Sequence, residues 1–152
     1  MNSPIGFAVV GTGMIAEVHA QAIRDTPEAR LVAVWTRAAE KRGAFAERYG
    51  CRAAESLEEV VADPEVRAVT VATPSGAHAE IAVPFLEAGK AVLCEKPLEV
   101  SLAAVDRILA AAERGGGCSR AFSRCGSVAG RGGSRTRWRP GASGGGRWAA
   151  RM

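Results

Sequence analysis

The chain has 152 residues, 47% of them hydrophobic and 24% charged, a composition typical of one globular domain with a core of ordinary size. No stretch approaches the roughly 20 apolar residues that a membrane-spanning helix needs, and no charged leader with a cleavage site precedes the first apolar run. We therefore expect a cytoplasmic protein with no membrane partner.

The net charge of +4 hides a division along the chain. Residues 1–114 hold all 16 acids and 12 of the 20 bases, whereas residues 115–152 hold eight arginines and no acid. The four cysteines, Cys51, Cys94, Cys118 and Cys125, form no CxxC pair, and only two histidines accompany them. This spacing does not suit a zinc site, so we predict unpaired thiols and no metal.

Apolar runs alternate with helical patterns as far as residue 114. Each run is short and continuously apolar, which indicates strands of a parallel sheet that helices cover on both faces. Right-handed crossovers then predict an α/β fold with a doubly wound, Rossmann-like sheet. The predicted strands are residues 5–10, 31–35, 51–53, 66–72 and 91–94, and the predicted helices end near residues 25, 49, 88 and 114, with a brief one capped by Ser56.

A glycine turn follows the first strand and opens the first helix. Gly11, Gly13 and Ala16 form the pattern G-x-G-x-x-A. The first glycine allows the turn, the second lets a pyrophosphate approach the backbone, and the small third residue lets helix and strand pack closely. Because the turn lies between a strand and a helix, it predicts dinucleotide binding at the helix N-terminus.

The second strand ends at Trp35-Thr36-Arg37, about twenty residues further on. An acid here would accept a hydrogen bond from the ribose 2′-hydroxyl and favour NAD, but none is present. Thr36 can hydrogen-bond a phosphate oxygen and Arg37 can pair with its charge, so NADP is favoured and NAD remains possible. The alternative is that Arg37 is a solvated residue at a helix start, which Glu40 could neutralise.

Two further turns follow strands at the edge of the sheet where ligands bind. Thr73-Pro74-Ser75-Gly76 follows the third strong strand and precedes His78, and Glu95-Lys96-Pro97 follows the next one. A lysine at this edge could hydrogen-bond a substrate hydroxyl or carry its proton, and Pro97 could form a cis peptide bond. A single histidine near a helix start is more often structural, as is His19 inside the first helix.

Together these residues resemble the Gfo/Idh/MocA family of oxidoreductases, named for glucose-fructose oxidoreductase, inositol dehydrogenase and a rhizopine-catabolism protein. The resemblance covers residues 5 to about 114 in the family's order and spacing. It rests on three motifs, which are Val9 to Ala16 with His19, Ala72 to Ser75 with His78, and Cys94 to Leu98.

The resemblance implies roles for these residues. Gly11, Thr12, Gly13, Met14 and Ile15 would cradle the pyrophosphate, Thr73 and Pro74 would line the nicotinamide side, and Lys96 would be the lysine of the catalytic site. His78 would lie close to the cofactor, and we count Ser75, Glu95 and Lys96 as cofactor-binding with Thr36 and Arg37. The implied reaction is hydride transfer between NAD(P) and a carbon–oxygen bond of a sugar or polyol. A second α/β domain supplies most substrate contacts in the family.

The pattern breaks at Gly115. The segment 115–152 carries 11 of the 18 glycines and does not suit a packed core, so we predict a disordered tail and no substrate domain. Back-translated and read from each third base, this segment can encode an apolar strand followed by an Arg-Phe pair, as the family would continue. We therefore expect the tail to be out of frame.

Two functions remain open at this point, besides complementation by a separately encoded partner that supplies the substrate domain, on which the sequence is silent. The first is a cofactor-binding domain of a dehydrogenase, inactive alone because most groups that position a substrate are absent, and not expected to form oligomers without its second domain. The alternative is a nucleotide-binding module whose basic tail binds nucleic acid. The tail lacks repeats and mixes in cysteine, phenylalanine and valine, so nucleic-acid binding is the less favoured of the two.

Overall fold

The computed structural model describes residues 3–115, 120–122 and 127–129 of the chain. The helices and strands follow in the order β1 (Ile5–Val10), α1 (Met14–Arg24), β2 (Ala29–Trp35), α2 (Ala39–Tyr49), β3 (Arg52–Ala53), α3 (Leu57–Ala62), β4 (Ala68–Val71), a 3-10 turn (Ser75–Ala77), α4 (His78–Glu87), β5 (Ala91–Cys94), α5 (Leu102–Arg114), β6 (Arg120–Phe122) and β7 (Ser127–Ala129).

Five of the strands form one parallel sheet in the order β3-β2-β1-β4-β5. The chain winds outward from β1 in one direction to β3, returns to pair β4 beside β1, and then continues outward to β5. This arrangement is the predicted doubly wound fold, and it brings the carboxyl ends of β1, β2, β4 and β5 to one edge. Ligands bind at this edge in open α/β sheets, at the point where the strand order reverses.

Two hydrophobic cores cover the two faces of the sheet. Val9 and Val34 face α1 and α2, which contribute Ala20 and Phe45 among others. The neighbouring residues of the same strands, such as Val10, point to the opposite face and pack beneath α3, α4 and α5. This alternation follows from the period of two in a strand, and it explains why both faces are apolar.

The helix ends bear out the predicted signals. The Ser56 side chain accepts a hydrogen bond from the Glu59 amide at 3.1 Å, which caps α3, and Ser101 caps α5 in the same way. Gly50 ends α2 in the left-handed conformation at φ 68°. The predicted 66–72 strand is shorter in the structure, where β4 spans Ala68–Val71. The Val66 amide donates to the Asp63 carbonyl in a turn, and hydrogen bonding to β1 begins with the Arg67 amide, which donates to the Gly6 carbonyl.

The predicted tail lies largely outside the described residues. Within it, the backbones of β6 and β7 pair antiparallel, with Ala121 opposite Val128, and this two-stranded sheet was not part of the prediction. The out-of-frame hypothesis and the nucleic-acid alternative concern residues that lie mainly outside the described ones, so both stay predictions. Among the helices that the structure describes, none is both long and apolar enough to cross a membrane.

Candidate functional site at the carboxyl edge of the sheet

The backbone of the glycine turn lies close to the residue that follows β4. Gly11 has φ 108°, and a Cβ atom on it would lie 2.5 Å from the Ala72 carbonyl oxygen. Its amide donates to the Trp35 carbonyl at 2.9 Å, which joins the turn to β2 as well. Only glycine adopts this backbone without strain, so Gly11 is required by the turn itself.

Gly13 leaves open space in front of the N-terminus of α1. It is the residue before α1, at φ −79°, no side chain caps the helix there, and a Cβ atom on it would meet nothing within 4 Å. The first amides of α1 therefore point into an open cradle with the positive end of the helix dipole behind them. Met14 and Ile15, which are 80% and 47% exposed, lie beside it. Such a cradle fits a pyrophosphate.

A second observation also fits a dinucleotide. The Thr73 hydroxyl, in the loop after β4, is buried and finds no hydrogen-bond partner among the described residues. A buried hydroxyl without a partner is costly, and a polar ligand group beside it would remove that cost. Pro74 and Ser75 continue the same loop into the 3-10 turn. The fit of the edge to the cofactor is therefore chemical as well as steric.

Thr36 and Arg37 follow β2 on the other side of the glycine turn. The Arg37 side chain is 81% exposed, and its guanidinium lies 3.8 Å from the Glu80 carboxylate in the first turn of α4. Because β2 and β4 flank β1, this pair spans the crevice above the end of β1. The guanidinium of Arg37 is thus accessible where the adenosine ribose of a dinucleotide binds in this fold.

His78 connects two loops of the site from below. It is 1% exposed, its Nε2 lies 2.8 Å from the Thr73 carbonyl oxygen, and its Nδ1 lies 3.1 Å from the carbonyl oxygens of Pro97 and Leu98. Both ring nitrogens therefore face backbone carbonyls. His78 holds the loop after β4 against the turn after β5, and its direct contact with a cofactor stays a prediction.

Lys96 projects from the turn after β5. Val71 and Cys94 are paired residues of β4 and β5, so Thr73 and Lys96 each lie two residues beyond a matched pair, side by side at the edge. The peptide bond between Lys96 and Pro97 is cis, as the sequence suggested. Lys96 is exposed at this edge.

The two residues before Lys96, Cys94 and Glu95, have side chains that are buried or held by a contact. Glu95 Oε1 lies 2.7 Å from Nε2 of His19 on α1, and this contact ties the turn to the helix of the glycine motif. Burial raises the pKa of the Cys94 thiol to about 12, so Cys94 stays protonated at neutral pH and is no nucleophile. Lys96 is exposed in this turn, whereas the Glu95 side chain contacts His19.

Two features of the site were not apparent from the sequence. Arg42 on α2 is buried and donates to the Thr36 carbonyl, although charged residues of a helix usually face solvent. The Arg37–Glu80 contact joins residues 43 positions apart. No motif in the sequence predicts either contact, because both depend on how α2 and α4 pack against the sheet.

Comparisons with known proteins agree with this geometry. The family model described as "Oxidoreductase family, NAD-binding Rossmann fold" (GFO_IDH_MocA) matches residues 5–121. The scyllo-inositol 2-dehydrogenase (NADP(+)) of Bacillus subtilis is 36% identical over 113 residues, which are 74% of this chain and 34% of that protein.

Two solved structures share the fold and were determined with a nicotinamide cofactor. The 3-ketoreductase KijD10 from Actinomadura kijaniata, in complex with NADP and TDP-benzene, has a TM-score of 0.72 and 31% identity over 78% of this chain and 37% of its own. The WlbA dehydrogenase from Bordetella pertussis, in complex with NADH and UDP-GlcNAcA, has a TM-score of 0.74 and 30% identity over 78% and 37%.

The chain thus spans about a third of the length of each of these relatives. Residues 5–121, which the family model matches, carry the glycine turn, the Thr73 loop and the Lys96 turn. By sequence and by fold, the chain belongs to the Gfo/Idh/MocA family of oxidoreductases through its NAD-binding Rossmann domain.

Proposed function

We propose that this chain binds a nicotinamide dinucleotide across the carboxyl edge of its sheet and prefers NADP to NAD. The observation that carries the preference is the end of β2, where Thr36 and the accessible guanidinium of Arg37 stand in place of an acid. Arg37 contacts Glu80, but both side chains are more than two-thirds exposed, and such a pair is weak in water. A ribose 2′-phosphate, which accepts bidentate hydrogen bonds, would compete with Glu80 for it.

We propose further that Lys96 acts on the substrate. The bound nicotinamide supplies or accepts a hydride, and Lys96 would hydrogen-bond the oxygen of the reacting carbon–oxygen bond and hold or release its proton. The contact between Glu95 and His19 would keep the turn of Lys96 near the glycine motif. The similar proteins, an inositol dehydrogenase and two enzymes solved with sugar-nucleotide or related ligands, support a sugar- or polyol-like substrate.

The preference can be tested by replacing Arg37 with methionine. Nicotinamide fluorescence is titrated with NADPH and NADH for the full chain and for the Arg37→Met variant. We expect NADPH binding to weaken about tenfold, as for one charge-assisted hydrogen bond at an exposed site, with NADH binding unchanged.

A matched control is Arg30→Met, which removes the same charge from the opposite end of β2, where Arg30 pairs with Glu65. It should change neither affinity. Equal loss of NADPH and NADH binding in Arg37→Met would overturn the role in discrimination, and a native chain that binds neither dinucleotide would overturn the proposed function.

Turnover is a separate expectation. One lysine at the edge of the sheet does not hold a substrate in near-attack geometry, so we expect the 152-residue chain to bind cofactor without oxidising polyols at a measurable rate. Reduced nicotinamide is followed by absorbance with a panel of inositols and sugars. Turnover that Lys96→Met abolishes would contradict this expectation and would support the role of Lys96.

We also propose that the residues from about 115 onward are read out of frame. The change in composition supports this, with eight arginines, eleven glycines and no acid in that segment. The coding DNA tests it: the other frame should encode an apolar strand and then a second α/β domain. An early stop codon in that frame would contradict the proposal.

A further inference from the structure

Arg42 is a buried charge beside the turn that we propose to read the cofactor. It lies on α2 and is 7% exposed, whereas most arginines in proteins keep the guanidinium in water. One of its terminal nitrogens donates to the Thr36 carbonyl oxygen at 3.2 Å, and the other donates to Glu55 Oε2 at 2.9 Å. Arg42 thus joins the end of β2 to the segment that follows β3.

The contact with Thr36 restrains the next residue. The Thr36 carbonyl and the Arg37 amide belong to one planar peptide unit, so a donor fixed on the carbonyl also fixes the orientation of the Arg37 amide. The directions in which the Thr36 and Arg37 side chains leave the backbone depend on this plane. The hydrogen bond is charge-assisted and largely shielded from water, which makes it a firm restraint.

The second partner of Arg42 is the carboxylate of Glu55, which balances its positive charge. The Glu55 side chain is 84% exposed, so water can solvate its carboxylate in the absence of Arg42. Removal of Arg42 would therefore not strand a buried acid. The group that loses its partner is the Thr36 carbonyl, at the start of the turn.

We infer that Arg42 is a positioning residue that sets the discrimination between NADPH and NADH by fixing the Thr36–Arg37 peptide plane. It does so without contacting the cofactor. This inference rests on the proposed function, since it requires that the turn after β2 meets the adenosine ribose. It adds a residue outside the glycine turn, the Thr73 loop and the Lys96 turn.

The test measures the ratio of the NADPH and NADH dissociation constants for the full chain and for Arg42→Met and Arg42→Lys. An unfolded fraction weakens both apparent affinities equally, so the ratio responds to the turn and not to stability. Methionine keeps the apolar stem but donates no hydrogen bond. Lysine keeps the charge but lacks the fork that reaches two acceptors at once.

We expect the ratio to move toward one by about two- to tenfold in Arg42→Met, the effect of one intramolecular hydrogen bond, and by less in Arg42→Lys. Arg30→Met, at the start of β2 and at the opposite end of that strand from the Thr36–Arg37 turn, should keep the native ratio. Circular dichroism and thermal unfolding show which variants are folded, and Arg42→Lys provides the test if Arg42→Met does not fold.

The outcomes separate the two proposals. A native chain that binds neither dinucleotide overturns the proposed function and this inference with it. A folded Arg42 variant that binds both dinucleotides with the native ratio overturns the inference alone. A ratio that moves toward one because NADPH binds more weakly, with the affinity for NADH unchanged, supports both.

Discussion

Replacing Gly13 by valine is expected to weaken NADPH binding roughly 100-fold, the loss of about 3 kcal/mol that one or two charge-assisted hydrogen bonds to a phosphate would supply. A Cβ atom at Gly13 meets no protein atom within 4 Å, so the added side chain fills the open cradle in front of α1. Its φ of −79° suits any residue, and unfolding free energy should change by less than about 1 kcal/mol. Dinucleotide titration and urea denaturation measure the two effects.

Gly43→Ala is the matched control for this substitution. Gly43 lies inside α2, and a Cβ atom on it also meets nothing within 4 Å. Alanine there should raise the free energy of unfolding by about 0.5–1 kcal/mol and leave NADPH binding unchanged. If Gly13→Val bound NADPH as the native chain does, the cradle in front of α1 would not be the pyrophosphate site.

Gly11→Ala should instead damage the fold. The new methyl group would lie 2.5 Å from the Ala72 carbonyl oxygen, in a backbone conformation at φ 108° that side chains rarely adopt. Strain and the enforced separation of β1 from β4 should together cost about 2–4 kcal/mol, a large share of the stability of a domain of this size.

Urea denaturation measures the free energy of unfolding of Gly11→Ala and of Gly43→Ala. The comparison separates the steric clash at Gly11 from the effect of replacing any glycine by alanine. Both variants replace a glycine hydrogen with a methyl group, but only the methyl group at position 11 would clash with a carbonyl oxygen. A Gly11→Ala variant within about 1 kcal/mol of the native chain would mean that β1 and β4 can move apart at the turn without penalty.

The fold could be predicted from the sequence because its signals are local and agree with one another. The continuous apolar run of residues 5–10 marks a strand with two buried faces, and Ser56 and Ser101 mark helix starts by their own side-chain hydrogen bonds. Strand lengths were less accurate, because a strand ends where its neighbour stops pairing. The turn at Val66 therefore shortens β4, although the predicted run, residues 66–72, is mostly apolar.

The site was predictable where a residue type is dictated by backbone geometry. Gly11 is such a case, since its conformation excludes other residues. Arg42 is the opposite case. Arg42 is buried because α2 lies against β2, where its guanidinium donates to the Thr36 carbonyl and to Glu55, thirteen residues further along the chain. The periodicity of the sequence predicts neither contact. The resemblance implied a place for His78 near the cofactor, but its three carbonyl neighbours appear only in the folded chain.

The central place of β1 in the sheet has a kinetic consequence. Its amides and carbonyls are engaged by β2 on one side and β4 on the other, so exchange of its amide hydrogens with deuterated solvent requires the whole sheet to open. β3, with two residues at the margin, can detach in much smaller fluctuations. The Gly11 amide, bonded to Trp35, should share the long exchange lifetime of β1. A molecule that has momentarily lost its outer strand therefore still presents an intact glycine turn.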